Sequence, residues 1–312
     1  MNPSPPTSLV MSATDWLLLI ALSVLWGGSF YFAKIAVLEI PPVTLALGRV
    51  VIAGAVILVL MRPLGASLPR DLQSWKRFAT IAALNNAIPF SLILWGQQHI
   101  PIGLASILNA TSPLFTVVFA HFVTPDDKLT LGRGVGLIAG FIGVVVLIGP
   151  DLLGELGQHV LAQLALLTAA LFYAIGAIYS RRLRGYKPVT IAGGQLLMSA
   201  VWLLPFALVN DRPWNTPPVS NAAIWAMVSL AVFSTSLAYL MYFRILVRAG
   251  ATNALLVTFL IPVSAILLGM ILLDEPLDPR QLSGMAAIAL GLAAIDGRPA
   301  RWLARKFRHT AS

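Results

Sequence analysis

Two cations and a short series of amides, hydroxyls and aromatic rings lie inside stretches that are otherwise apolar, and they bound the chemistry open to this chain. The cations are Lys34 and Arg49. An ionisable group at mid-bilayer costs about 2.5–3.5 kcal/mol even on the mildest insertion scale, which makes any such group a functional candidate. One reading has both side chains snorkel to the outer surface or pair with Glu39. The other has them line a cavity and meet a substrate carboxylate, and Arg49 suits it better because its side chain starts deeper. Asn85, Asn86, Gln98, Asn109, Ser112, Ser234 and Thr258, with Gln97, Thr111, Gln195, Thr235 and Ser236, cannot stay unpaired in lipid. They either join helices or face a polar cavity. Trp26, Phe30, Trp95, Tyr173, Tyr179 and Tyr239, with Phe90 and Phe172, are the rings of the same stretches. They pack a core or wall a cavity, and a cavity so walled would take flat apolar or aromatic solutes by stacking.

The residues that are missing narrow the chemistry further. Cysteine is absent, and all 12 acidic residues lie in loops or at the ends of apolar runs. Of the histidines, His99, His159 and His309 fall in loops or the tail, and His121 near the end of a run. The interior therefore holds no nucleophile with its base, no carboxylate pair and no metal cluster, so neither an intramembrane enzyme nor a metal or cofactor is expected. It also holds no proton relay, which favours facilitated transport or exchange over proton coupling. Neither a filter loop nor a ring of charge speaks for a channel.

These residues are positioned by apolar segments. The chain of 312 residues is 58% hydrophobic and 11% charged, against roughly 25% charged in a soluble domain. Runs near the roughly 20 residues that span a bilayer recur at 15–38, 43–61, 76–96, 102–123, 131–149, 160–180, 188–209, 221–243, 250–273 and 280–296. The expected fold is all-α and integral to the membrane, with ten transmembrane helices. The formal charge of +9 does not point to nucleic acid, because 17 of the 21 basic residues fall in the connections after even-numbered runs and in the C-terminal tail, and only Arg212 and Arg280 in the others. By the positive-inside rule both termini are cytoplasmic.

A shift of 146 to 149 residues superposes the two halves: Trp26–Lys34 on Tyr173–Arg181, Ala105–Pro113 on Ala254–Pro262, and Gly136 and Gly143 on Gly284 and Gly291. Five runs in each half make the second half inverted, so the chain divides into repeats at 15–149 and 160–296 and a basic tail at 297–312. Pro113 and Pro262 remove a backbone donor at matching places and are expected to bend or break their helices, a pointer to a central site. Gly132, Gly136, Gly140, Gly143, Gly284 and Gly291 assign runs 5 and 10 to scaffold or dimer contact.

At Trp26-Gly27-Gly28-Ser29-Phe30, Arg49, Pro113, Pro262 and the acidic turns Asp126-Asp127 and Asp274-Glu275-Pro276 the sequence resembles the drug/metabolite transporter superfamily, in its ten-helix EamA-type members. It looks most like the YddG-type aromatic amino acid exporters, and departs from the pattern in having Asp126-Asp127 where a Glu is usual. The resemblance implies alternating access in a cell (inner) membrane, with export of small metabolites, amino acids foremost, through a midplane pocket. A proton-coupled carrier of drugs, nucleotides or sugars is the alternative. The expected partners are a small-molecule substrate and the lipid bilayer, with the protein a monomer or weak homodimer.

Overall fold

The computed structural model describes residues 11–124, 130–148, 159–273 and 279–296. Among them every regular element is helical, as it must be where lipid offers the backbone no hydrogen-bond partner. The helices are α1 (Ala13–Val37), α2 (Pro42–Met61), α3 (Leu72–His99), α4 (Ile102–Asn109 continued by Ser112–Val123), α5 (Leu131–Ile148), α6 (Val160–Leu183), α7 (Pro188–Asp211), α8 (Asn221–Ala249), α9 (Ala251–Leu255 continued by Val257–Leu273) and α10 (Pro279–Asp296). Seven, namely α1, α2, α3, α6, α7, α8 and the stretch Leu104–Val123, are long and apolar enough to cross a membrane. Among the described residues the other three runs carry the shorter apolar helices Gly134–Val146, Asn253–Ser264 and Leu282–Leu292. The acidic turns at 126–127 and 274–276 and the tail 297–312 lie outside the described residues.

Helix ends follow local chemistry. Ser12 and Asp15 form a reciprocal capping box at the start of α1, and Asp71 and Ser220 cap α3 and α8 with their side chains. Pro42 and Pro188 stand in first turns, where the missing donor costs nothing. Helices α3 and α8 run further than their apolar cores, to His99 and Ala249, because hydropathy marks the lipid-thick part of a helix and not its polar ends.

The usual distribution of polarity is reversed. Val59, Phe122 and Leu161 are 74%, 79% and 74% exposed, whereas Asn86, Gln97, Ser112 and Gln195 are fully buried. A surface of this kind suits a lipid environment. Packing between the halves is exchanged pairwise: α1 lies on α8 and α9 as α6 lies on α3 and α4, α2 lies on α7, and α5 on α10. Helices α5 and α10 meet through their glycines. A Cβ built on Gly143 would stand 2.7 Å from the Ile288 nitrogen, and one on Gly291 2.5 Å from the Gly140 nitrogen. Those glycine faces are thus used within the chain, while Gly132 has open space beside it.

Candidate functional site

Two helices widen into π-turns at places that the repeat superposes, Ala83–Ala87 in α3 and Val232–Leu237 in α8. A π-turn adds a residue to the coil and swings the following side chains to a new face. In α3 it carries Asn85 and Asn86, and in α8 Ser234, Thr235 and Ser236. Their hydrogen bonds knit the halves together. The indole of Trp26 donates to the Ser234 carbonyl at 3.0 Å, and the Ser234 hydroxyl to the Leu25 carbonyl at 2.7 Å. The Tyr239 hydroxyl donates to the Asn86 carbonyl oxygen, and the Asn86 amide to the Ser199 hydroxyl at 2.7 Å.

Between these helices lies a cavity of about 80 Å³. Trp26, Ser29, Phe30 and Ala33 of α1 form one wall, with Asn85, Phe90, Ile93, Leu94 and Gln97 of α3 beside them. Tyr173 of α6, Tyr239, Tyr242 and Phe243 of α8, and Leu255, Thr258 and Ile261 of α9 form the opposite wall. Arg49 of α2, Asn109 of α4 and Gln195 of α7 add the remaining polar groups. Among the described residues none from α5 or α10 lines the cavity. A cavity of about 150 Å³ is known to admit benzene, so the smaller space in this conformation would have to widen to hold a ring-bearing solute.

Arg49 is 8% exposed. Its Nε donates to the Thr235 hydroxyl at 2.7 Å, and its guanidinium carbon lies 3.8 Å from the centre of the Phe90 ring. Among the described residues no carboxylate pairs with it. Glu39, the carboxylate that one of the two readings offered as a partner, instead accepts from the Ser220 amide and hydroxyl at 2.7 and 2.6 Å. Those bonds hold the Glu39 carboxyl below its usual range. Lys34 is not snorkelling freely either, since its Nζ donates to the Gln97 carbonyl at 2.6 Å and ties α1 to α3.

The sequence candidates divide by location. Trp26, Phe30, Arg49, Asn85, Asn109, Tyr173, Tyr239 and Thr258 line the cavity. Asn86, Ser112 and Ser234 lie buried off it, with Ser112 bonded to its own helix at the Asn109 carbonyl. Gln98 donates to the Val37 carbonyl at 3.3 Å, Trp95 stacks edge-on with His99 at a largely exposed site, and Tyr179 lies under Arg182 at 5.2 Å. Gln97 and Gln195, two of the polar residues expected either to join helices or to face a cavity, line it, and so do Tyr242 and Phe243, which were not among the candidates. Tyr242 stands one helical turn from Tyr239, and Gln195 is Arg49 shifted by 146 residues, so helical spacing and the repeat both pointed to them.

Neither proline stands at the break in its helix. Helix α4 breaks at Ala110–Thr111, and Pro113 opens the first turn of its second part. Helix α9 breaks at Leu256, with Pro262 inside the part that follows. A proline withholds the donor owed to the carbonyl four residues earlier, and those carbonyls belong to Asn109 and Thr258, the repeat-related pair in the cavity. The Asn109 carbonyl accepts the Ser112 hydroxyl at 2.7 Å instead. Close packing matters here too, because a Cβ on Gly176 would collide with the Asn85 amide. Gly176→Ala is therefore expected to destabilise the protein by about 1–3 kcal/mol and to move Asn85, measurable as a lower unfolding temperature together with altered solute affinity.

The profile of the EamA-like transporter family matches residues 15–149 and again 160–295. The uncharacterized transporter YoaV of Bacillus subtilis (strain 168) is 22% identical over 88% of this chain and 94% of its own length. An uncharacterized transporter of Archaeoglobus fulgidus is 27% identical over 89% and 96%. The uncharacterized inner membrane transporter YedA of Escherichia coli (strain K12) is 26% identical over 89% of each. A solved crystal structure superposes with a TM-score of 0.75 over 95% of this chain and 99% of that one, at 20% identity, and so shares the fold.

Proposed function

The chain belongs to the EamA-like transporter family, and from that premise we propose that it is an alternating-access exporter of small carboxylate-bearing metabolites, foremost amino acids with aromatic or other apolar side chains. It is a multi-pass protein of the inner membrane. In this reading all ten helices cross the bilayer, both termini are cytoplasmic, and the repeats 15–149 and 160–296 are inverted. The exchanged packing of α1 on α8 and α9 and of α6 on α3 and α4 supports the inversion.

The observation that carries the substrate reading is Arg49. A buried guanidinium without a carboxylate is costly in a low-dielectric interior, and an anionic solute entering the cavity removes that cost. The rings of Trp26, Phe30, Phe90, Tyr173, Tyr239 and Tyr242 offer apolar faces to the rest of the molecule. Among the described residues no carboxylate or imidazole lines the cavity, which supports facilitated movement or exchange. The test is counterflow in sealed proteoliposomes with labelled amino acids. Saturable uptake, faster when unlabelled solute is preloaded and strongest for phenylalanine, tyrosine and tryptophan, is the expected result. Flux that tracks an imposed pH gradient would transfer the reading to a proton-coupled carrier, and no flux across the panel would remove amino acids from it.

A further inference from the structure

The repeat counterpart of Arg49 in the cavity lining is chemically different. At the position of the guanidinium the second half places the amide of Gln195, fully buried on α7. Neither its Oε1 nor its Nε2 has a hydrogen-bond partner. The same holds for the Asn109 Oδ1 and the Gln97 Oε1, on residues 6% and 0% exposed. Buried amide groups are nearly always paired, so three carbonyl oxygens left open around one cavity mark the place of a missing donor, while the open Gln195 Nε2 calls for an acceptor besides. All three residues line the cavity that Arg49 lines.

We propose that Gln195, with Asn109 and Gln97, forms an ammonium subsite, so that the solute is a zwitterion whose carboxylate meets Arg49 and whose amino group donates to these oxygens. This rests on the reading of the cavity as the solute site and deepens it. An ammonium group carries three donors and no acceptor, which three carbonyl oxygens complement. With no carboxylate among the described lining residues, amide oxygens are the strongest acceptors offered. A simple carboxylate would satisfy Arg49 and leave the three oxygens orphaned, a penalty that a site built for hydrogen bonding imposes on analogues lacking the donor. The repeat then explains the polarity of the site: one fold position supplies a cation in the first half and a neutral amide in the second, which orients a dipolar solute without repelling its positive end.

The test compares binding of L-phenylalanine, 3-phenylpropanoate and phenethylamine to purified protein in lipid nanodiscs, with wild type beside Gln195→Met, which keeps length and removes both polar atoms. The expected result is that wild type prefers phenylalanine to each analogue by about tenfold or more, and that Gln195→Met weakens phenylalanine about tenfold while 3-phenylpropanoate is unchanged. Phenylpropanoate binding wild type as tightly as phenylalanine does would overturn the ammonium subsite and leave the carboxylate reading standing. Equal loss of both ligands in Gln195→Met would overturn the role given to Gln195. Binding of none of the three would overturn the subsite together with the amino acid reading. Should Gln195→Met fail to fold, the wild-type comparison of the three ligands decides alone.

Discussion

Replacing Arg49 by Met is expected to lower transport efficiency by about a hundredfold or more while leaving the protein folded, with its unfolding temperature within a few degrees of wild type. The two effects separate because they have different sources. The side chain gives the fold one hydrogen bond to Thr235 and one contact with the Phe90 ring, together about 1–3 kcal/mol. Its desolvation works against the fold by a comparable amount, so an apolar replacement of similar length is nearly neutral. The solute, by contrast, loses a charge-assisted and bidentate contact in a site of low dielectric, where such contacts are strongest. Arg49→Lys keeps the charge but not the planar fork, and an intermediate loss of about tenfold is expected. Flux measurements in proteoliposomes beside fluorescence-monitored thermal unfolding check both. A guanidinium serving only the fold would give the reverse pattern, with stability lost and transport per folded molecule retained.

The second large effect is expected at Gly291→Ala. Its new methyl group would meet the Gly140 nitrogen at 2.5 Å, the Gly136 carbonyl at 2.7 Å and the Gly140 Cα at 2.8 Å. All three are main-chain atoms of α5, so no side chain can swing aside and the two helices must part. Overpacking of this kind costs about 1–3 kcal/mol, and a rigid backbone partner places the loss at the upper end. Thermal unfolding in detergent measures it. Gly132→Ala serves as the comparison, since open space beside Gly132 and the better helix propensity of alanine predict no loss. Because no described residue of α5 or α10 lines the cavity, the folded fraction of Gly291→Ala is expected to transport normally.

Much of the fold could be read directly, because a bilayer allows so few solutions. Apolar runs fix the helices, and the glycines of α5 and α10 marked them as scaffold or dimer contact, of which the structure shows packing within the chain. What hydropathy could not reveal is how each helix deviates. The π-turns at Asn85–Asn86 and Ser234–Thr235–Ser236 leave only a cluster of polar residues as their trace, and the same cluster fits an ordinary helix with hydroxyl bonds to the preceding turn. The break in α9 at Leu256 lies six residues before Pro262, since a proline restricts the turn ahead of it and packing decides where the chain gives way.

The site was legible to the extent that mid-span chemistry decides it. Arg49, Asn109 and Thr258 stood out because each carries polarity where lipid tolerates little. Ser234 and Asn86 stood out for the same reason but serve to bind helices together, and only three-dimensional packing separates that role from cavity lining. Trp95, Gln98 and Tyr179 lie towards helix ends, where a helix turns different faces to its neighbours, and spacing alone did not say which face they occupy. Gln195 shows the opposite case. It stood out as a mid-span polar residue, yet a lone amide in a helix is so often a simple interhelical link that its significance appears only when both of its polar atoms prove unbonded.

The central claim is that the cavity between the two halves is the place where solute binds and passes. A chain without cysteine allows the most direct measurement, a single cysteine at Ala33→Cys, a small residue of the lining that is 4% exposed, reacted with a membrane-impermeant thiol reagent in the presence and absence of phenylalanine. The account predicts that labelling stops transport and that phenylalanine slows labelling in proportion to its occupancy of the site. Labelling that leaves transport intact, or that proceeds at the same rate under saturating solute, would contradict it.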